Sequence, residues 1–282
     1  MRLSYEFFPP RSEDGRTSLL KVADKLDRFA PDFYSVTYGA GGSTRDGTRD
    51  TVNLLLRGGR HAAPHLSIGD DQPSTIRQML TDFREDGVQR IVALRGDLPS
   101  GAGARKRIHN AEELVRWIRD HSGQHFHVEV AAYPEVHPDA QSPADDLAFF
   151  KRKVEAGADS AITQYFYNPY SYMDYLNRCA QAGIRIPVYP GIMPITNYEG
   201  IVRFSQNCGA DIPRWVLKHL EAYKEDQAAL KSFGVDMVTQ LCEDLLQAGA
   251  PGLHFYTLNR WGATNAICEN LKLTERAGQQ AS

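Results

Sequence analysis

Ile91-Val92-Ala93-Leu94-Arg95-Gly96-Asp97 places four consecutive apolar residues directly before a charged turn. A strand with one wet face alternates apolar and polar residues. An unbroken apolar run belongs instead to a strand covered on both faces, the habit of parallel sheets. Working outward, the same pattern recurs. Upstream lie Leu3 to Phe8, Phe33 to Thr37 and Ala62 to Ile68. Downstream lie Phe126 to Tyr133, Ala161 to Tyr165, Pro187 to Ile192 and Gly252 to Thr257. The segments between carry helical spacing. Leu19, Val22, Leu26 and Phe29 precede a closing Pro31, a helix spans about Asp46 to Arg57, and Pro73-Ser74 opens one bearing Ile76, Leu80 and Phe83. Ser142-Pro143 is an N-cap followed by proline at the first helical position.

Eight strand–helix units follow, with extra helical material from Pro213 to Gly249 and a short closing helix from about Ala263 to Leu271. Eight parallel strands joined by right-handed crossovers predict a closed (β/α)8 TIM barrel, an α/β fold; a doubly wound open sheet is the runner-up. No linker or low-complexity tract divides the chain, so residues 1–275 are read as one domain and 276–282 as a disordered tail.

The 282 residues are 42% hydrophobic, enough for a large core, and the net charge of −3 provides no field for nucleic acid or an anionic membrane. Cys179, Cys208, Cys242 and Cys268 lie far apart and form no metal-like spacing. They read as reduced thiols of a cytoplasmic protein. The N-terminus lacks a signal-peptide h-region, and no run approaches the roughly 18 apolar residues of a membrane span.

Barrel active sites sit at the C-terminal ends of the strands. There the sequence places Glu6, Thr37, His65, Arg95-Gly96-Asp97, Tyr133 to His137, Gln164 and Tyr256-Thr257. Glu6 stands among aromatic residues just before Pro9-Pro10, which end the first strand. A carboxyl kept from water favours its protonated form and suits a proton donor. Taken alone, a solvent-facing strand-end glutamate is the commoner outcome; the convergence on one rim favours a site. Gly39-Ala40-Gly41-Gly42 is not a dinucleotide fingerprint, and no Walker-type lysine follows. His121, His125 and His127 fall at the bottom of the barrel and read as surface and core histidines, so no metal site is expected. A serine hydrolase has no support, since Gly-x-Ser-x-Gly is absent.

Seven runs resemble bacterial methylenetetrahydrofolate reductase, in order, over residues 3 to 271. They are Ser4-Tyr5-Glu6-Phe7-Phe8-Pro9-Pro10, Ser35-Val36-Thr37-Tyr38-Gly39-Ala40-Gly41-Gly42, Ala63-Pro64-His65-Leu66, Ala93-Leu94-Arg95-Gly96-Asp97, Ala132-Tyr133-Pro134-Glu135-Val136-His137, Ile162-Thr163-Gln164-Tyr165-Phe166 and His254-Phe255-Tyr256-Thr257-Leu258-Asn259-Arg260. The resemblance implies an FAD-dependent oxidoreductase that converts 5,10-methylenetetrahydrofolate to 5-methyltetrahydrofolate for methionine synthesis. NADH or NADPH reduces FAD and leaves before folate binds. By the same resemblance Glu6 is the acid that opens the imidazolidine ring, Asp97 contacts the pterin near the flavin, and Gln164 hydrogen-bonds the pterin. Phe204 stacks on either substrate, and Arg260 meets the folate tail.

For FAD the matching positions are Thr37, His65, Arg95, Gly96, Asp97, Ala111, Tyr133, His137, Ala140, Asp146, Arg152 and Lys153. The sequence departs from the family at Asn110, where a tyrosine is usual, at Phe149, where an asparagine is familiar, and in the loop Ser100 to His109 with Arg105-Lys106-Arg107. These touch FAD retention rather than folate chemistry. A flavin-independent folate reductase and a pterin-binding methyltransferase of the same barrel class are the alternatives. Family precedent implies a homo-oligomer, a preference for NADH, and partners that are small molecules only.

Overall fold

The computed structural model describes residues 1–38, 45–67, 73–95 and 110–274. Within them the strands are β1 (Arg2–Phe7), β2 (Phe33–Val36), β3 (Ala62–Ser67), β4 (Arg90–Leu94), β5 (His127–Ala132), β6 (Ser160–Thr163), β7 (Val188–Tyr189), β8 (Gly191–Ile192) and β9 (Gly252–Tyr256). All pair in parallel, in the order β7-β6-β5-β4-β3-β2-β1-β9-β8. The anticipated seventh strand is thus two short pieces. Pro190 has no N–H to give a ladder and divides them. The piece before it pairs with β6 and the piece after it with β9, so the two close the ring as one strand would.

Close approach at the closure demands glycine. A Cβ on Gly191 would lie 2.1 Å from the Thr163 carbonyl oxygen and 2.6 Å from the Tyr256 ring. The Gly191 amide donates to Thr163 Oγ1 at 2.9 Å.

Helices α1 (Glu13–Leu26), α2 (Arg45–Arg57), α3 (Pro73–Glu85), α4 (Ala111–Ser122), α5 (Pro143–Glu155), α6 (Pro169–Gln181) and α7 (Tyr198–Cys208) each follow a strand or the split pair. The expected extra material forms α8 (Arg214–Ala222) and α9 (Gln227–Gln247), and α10 (Gly262–Asn270) closes the barrel.

Period-two geometry splits the core in two. Tyr5, Phe7, Ile91 and Ala93 face outward into a large annulus with Leu19, Leu26, Leu80 and Leu114. Phe33, Ala63, Val92 and Ile162, with Leu94 and Tyr256, fill the lumen. The unbroken apolar run of β4 therefore serves both cores. The same alternation corrects one expectation: Tyr5 and Phe7 lie on the face opposite Glu6, so its sequence neighbours do not shield it.

Candidate active site at the barrel mouth

Inward-facing residues of β1 are Ser4 and Glu6, and their register sets what surrounds them. Ser4 pairs with His254 and Glu6 with Tyr256 across the β1–β9 seam, while Ser35 flanks Glu6 on β2. The Glu6 side chain is 19% exposed. Its Oε2 lies 3.4 Å from His65 Nε2 and 3.7 Å from His254 Nε2. Both imidazole nitrogens are buried and have no hydrogen-bond partner among the described residues, as is true of Thr37 Oγ1 and Ser35 Oγ. Buried polar groups are ordinarily satisfied, so orphans clustered at one mouth mark a place for a polar ligand. Burial lowers the His65 pKa, with Glu6 opposing and His254 assisting that shift, so the ring is neutral at physiological pH.

The end of β1 is pinned by the turn after β9. Thr257 Oγ1 donates to the Glu6 carbonyl oxygen at 2.6 Å. Asn259 accepts from the Phe8 amide at 3.0 Å and donates to the Phe8 carbonyl at 2.8 Å. To reach that position the backbone takes two consecutive left-handed residues, Leu258 (φ 51°) and Asn259 (φ 55°). Such conformations are uncommon outside glycine and persist where surrounding contacts over-determine them. Tyr256 roofs the lumen, its hydroxyl donating to the Thr163 carbonyl at 2.7 Å; burial and the Glu6 charge push its pKa well up.

The residues expected to hold FAD fall on one side of this mouth. Thr37 directly follows β2, His65 lies near the end of β3, Arg95 follows β4, and Ala111 opens α4. Arg95 pairs with Asp139 at 2.6 Å, an exposed bridge that a phosphate could replace at little cost. Tyr133 meets His137 edge-on at 4.5 Å, and the His137 amide donates to Asp146 at 3.4 Å. Ala140 closes that loop through its amide to the His137 carbonyl. Burial raises the Asp146 pKa. Lys153 turns its amine inward to the Ala131 carbonyl at 2.5 Å, and burial pulls its pKa down to about 8. Arg152 donates to Glu112 and covers the Phe149 ring at 4.0 Å. Asn110, a departure from the family pattern, is the N-cap of α4, accepting from the Glu113 amide at 3.0 Å.

On the opposite side Gln164 directly follows β6, half-buried, its side-chain oxygen taken by the Tyr165 amide. Tyr165 meets Ser205 on α7 at 3.1 Å, and Phe204 stands exposed beside Ser205. Arg260 is exposed just past the Asn259 pin. Gly96, Asp97, the Gly39 to Gly42 loop and the Arg105-Lys106-Arg107 run lie outside the described residues.

His254 and Asn259 were not singled out by sequence reasoning, although a signal existed for the first. It is an imidazole at an inward position of Gly252–Tyr256, between outward Leu253 and Phe255.

At the other end of the barrel a cavity of about 290 Å³ is lined by Gln89, Gln124, His125, Phe126, His127 and Asp159. His125 bonds the Val88 carbonyl and His121 meets Thr81, as expected of histidines with structural partners. No metal-binding group of side chains occurs among the described residues.

The family model described as methylenetetrahydrofolate reductase matches residues 1–272. The 5,10-methylenetetrahydrofolate reductase of Escherichia coli (strain K12) is 39% identical over 272 residues, covering 96% of this chain and 90% of that protein. The Pectobacterium carotovorum subsp. carotovorum protein of the same name is 38% identical over 272 residues, with the same coverage. Methylenetetrahydrofolate reductase (NADH) 1 of Arabidopsis thaliana is 37% identical over 291 residues, covering 97% of this chain and 49% of its own. Among solved structures, a Clostridium thermocellum protein that binds two copies of 5-methyl-5,6,7,8-tetrahydrofolic acid superposes with a TM-score of 0.70 at 15% identity. It covers 98% of this chain and 96% of that one, a likeness of fold.

Proposed function

The chain belongs to the methylenetetrahydrofolate reductase family, and from that premise we propose how its barrel mouth carries the reaction. It is an oxidoreductase that reduces 5,10-methylenetetrahydrofolate to 5-methyltetrahydrofolate. The carrying observation is the Glu6 carboxyl at the end of β1, pinned through its own carbonyl by Thr257 and flanked by two unsatisfied imidazole nitrogens.

Opening the imidazolidine ring expels an amine, a poor leaving group unless protonated, and Glu6 is the group placed to give that proton. The carboxyl Oε2 faces the two imidazoles at 3.4 and 3.7 Å, and its main-chain carbonyl alone is tied down, which leaves the carboxyl group available to substrate. Gln164 and the exposed Phe204 stand across the mouth and serve the pterin, by amide hydrogen bonds and by stacking. Arg260 serves the carboxylates of the folate tail. By the family resemblance Asp97 belongs to the same substrate set, a carboxylate that would stabilise the developing cation.

The orphaned Thr37 Oγ1 and His65 Nε2, the exchangeable Arg95–Asp139 bridge and the cations on α5 fit FAD: polar ring edge at one end, diphosphate at the other. Bound there, FAD would supply a two-electron carrier between NAD(P)H and the folate, used in ping-pong order. To its binding we assign Thr37, His65, Arg95, Ala111, Tyr133, His137, Ala140, Asp146, Arg152 and Lys153, and, by the family resemblance, Gly96 and Asp97. The NADH in the Arabidopsis relative's name supports NADH as the reductant. Four free cysteines support a reducing, cytoplasmic setting. We read the barrel as one catalytic domain, working as a homo-oligomer, with methionine synthesis as the use of its product.

A visible spectrum before and after anaerobic NADH tests the reading. Flavin absorbance that bleaches with NADH and returns with methylenetetrahydrofolate is expected. A protein with no flavin, unrescued by added FAD, would sink it. Bleaching by NADH without recovery on folate would remove the folate half alone.

A further inference from the structure

The loop after β5 carries Tyr133 and His137, two of the residues assigned to FAD, and its backbone turns in an uncommon way between them. Val136 sits at φ 71°. A β-branched residue in the left-handed region is a true outlier and persists where its surroundings over-determine it. Three contacts do so here. The Val136 amide closes the turn on the Tyr133 carbonyl at 3.2 Å. Half-buried Glu135 reaches two other elements: Oε1 accepts from Ser171 Oγ on α6 at 3.1 Å, and Oε2 from the Asp211 amide, just past α7, at 2.8 Å. Pro138 lies against Gly209, the left-handed C-cap of α7, where a Cβ would stand 2.8 Å from the proline Cγ.

The elements gripped in this way belong to the substrate side. Helix α7 bears Phe204, and the neighbouring Ser205 meets Tyr165, the residue after Gln164, at 3.1 Å. The crevice between the β5 loop, Gln164-Tyr165 and the end of α7 keeps only about 10 Å³ open, room for one water at most. Close-packed parts of this kind move together. We propose that Glu135 is a positioning residue that locks the FAD-side loop to the substrate wall, so that Tyr133 and His137 on one side and Gln164 and Phe204 on the other keep a fixed spacing. Groups that must present a cofactor and a substrate to each other lose affinity or rate steeply when displaced. The inference rests on the placement of FAD and substrate proposed above, and its test separates the two.

FAD titration of the flavin-free protein, followed by flavin fluorescence, gives one readout. The NADH dissociation constant and limiting rate of flavin reduction give the other. Glu135→Ala should weaken FAD about tenfold, the lower range for bonds lost to a charged acceptor. It should raise the NADH dissociation constant by a similar factor with the limiting rate nearly unchanged, the mark of lost uniform binding. Both donors to Glu135 are neutral, so Glu135→Gln can keep both bonds, its oxygen on the Asp211 amide and its NH2 on the Ser171 hydroxyl. It should recover both affinities. Gly209→Ala, which pushes on Pro138 from the substrate helix, should weaken FAD as well. Where Glu135→Ala does not fold, Gly209→Ala decides. A Gly209→Ala protein with the parent's FAD affinity overturns the lock, and so does a Glu135→Ala protein that loses urea resistance alone. Either result leaves the FAD site standing. A parent that takes up no FAD overturns the site and the lock together.

Discussion

Among the described residues, the strand carboxylates Glu6 and Glu129 both face the inside of this barrel, and they are finished differently. Glu129, near the bottom, is 0% exposed and fully engaged: Arg90 bonds one oxygen, Ser160 donates to the other at 2.6 Å, and His127 bridges to Ser160 at 2.6 Å. Arg90 in turn covers the Phe33 ring at 4.5 Å. Glu6, at the mouth, has its main-chain oxygen tied down, but no hydrogen bond to its carboxylate from the described residues, and two imidazoles wait unsatisfied beside it. A completed buried network holds a fold together, whereas an incomplete one is costly until something else completes it. The same sheet thus carries a structural carboxylate at one end and a chemical one at the other, and local satisfaction tells them apart.

Paired substitutions give the sharpest test. Glu6→Gln should cut the folate half-reaction roughly 100- to 10,000-fold, the usual worth of a positioned acid. Its flavin reduction by NADH and its urea midpoint should be nearly unchanged. Glu129→Ala should do the reverse, costing about 3–5 kcal/mol of stability because Arg90 is left buried without its partner. Burial already lowers the Arg90 pKa, which shows how little the surroundings compensate that charge. Per folded molecule, its folate half-reaction should match the parent. Equal stability loss in both variants would erase the distinction between the two ends.

The fold was more legible than this distinction. Apolar runs such as Ile91 to Leu94 count strands because both faces of a barrel strand are dry, and the only miscount came where Pro190 splits one strand in two. Glu6 was legible as a rim residue from its place before Pro9-Pro10. Its true surroundings were not, because alternation sends Tyr5 and Phe7 to the other face and ring closure brings His254 from 248 positions away. Sequence neighbours say little about a site assembled by closure. Asn110 shows what a family pattern leaves out: it reads as a departure at a ligand-contacting position, and its side chain also caps α4.

Lys153 lies between the two extremes. Its amine has one carbonyl partner and a nearby Asp146 whose own pKa is raised by burial, so its charge is poorly compensated. With a native pKa of about 8 against 10.5 for an ordinary lysine, the unfolded chain holds a proton that the native protein has released across that window. Stability should therefore rise with pH from about 8 to about 10.5, and below 8 the folded state bears the full cost. Lys153→Met should abolish that rise and stabilise the flavin-free protein at pH 7 by at most roughly 3 kcal/mol. Urea melts of both proteins across the window read the difference. Parallel pH profiles would mean the amine is solvated, placing Lys153 with ordinary surface charge.

The smallest effect tests whether Asn110 belongs to the fold or to the mouth. Its side chain satisfies the Glu113 amide at the start of α4, directly before Ala111. Removing such a cap costs about 1 kcal/mol, while serine, which can accept the same hydrogen bond, preserves it. Asn110→Ala should lower the urea midpoint at an unchanged m-value, and Asn110→Ser should not. If the residue acts only as a cap, FAD titrations of both variants should give the parent's affinity. A loss of FAD affinity in both would move Asn110 from the structural side of the comparison to the ligand side, because serine keeps the cap but not the amide.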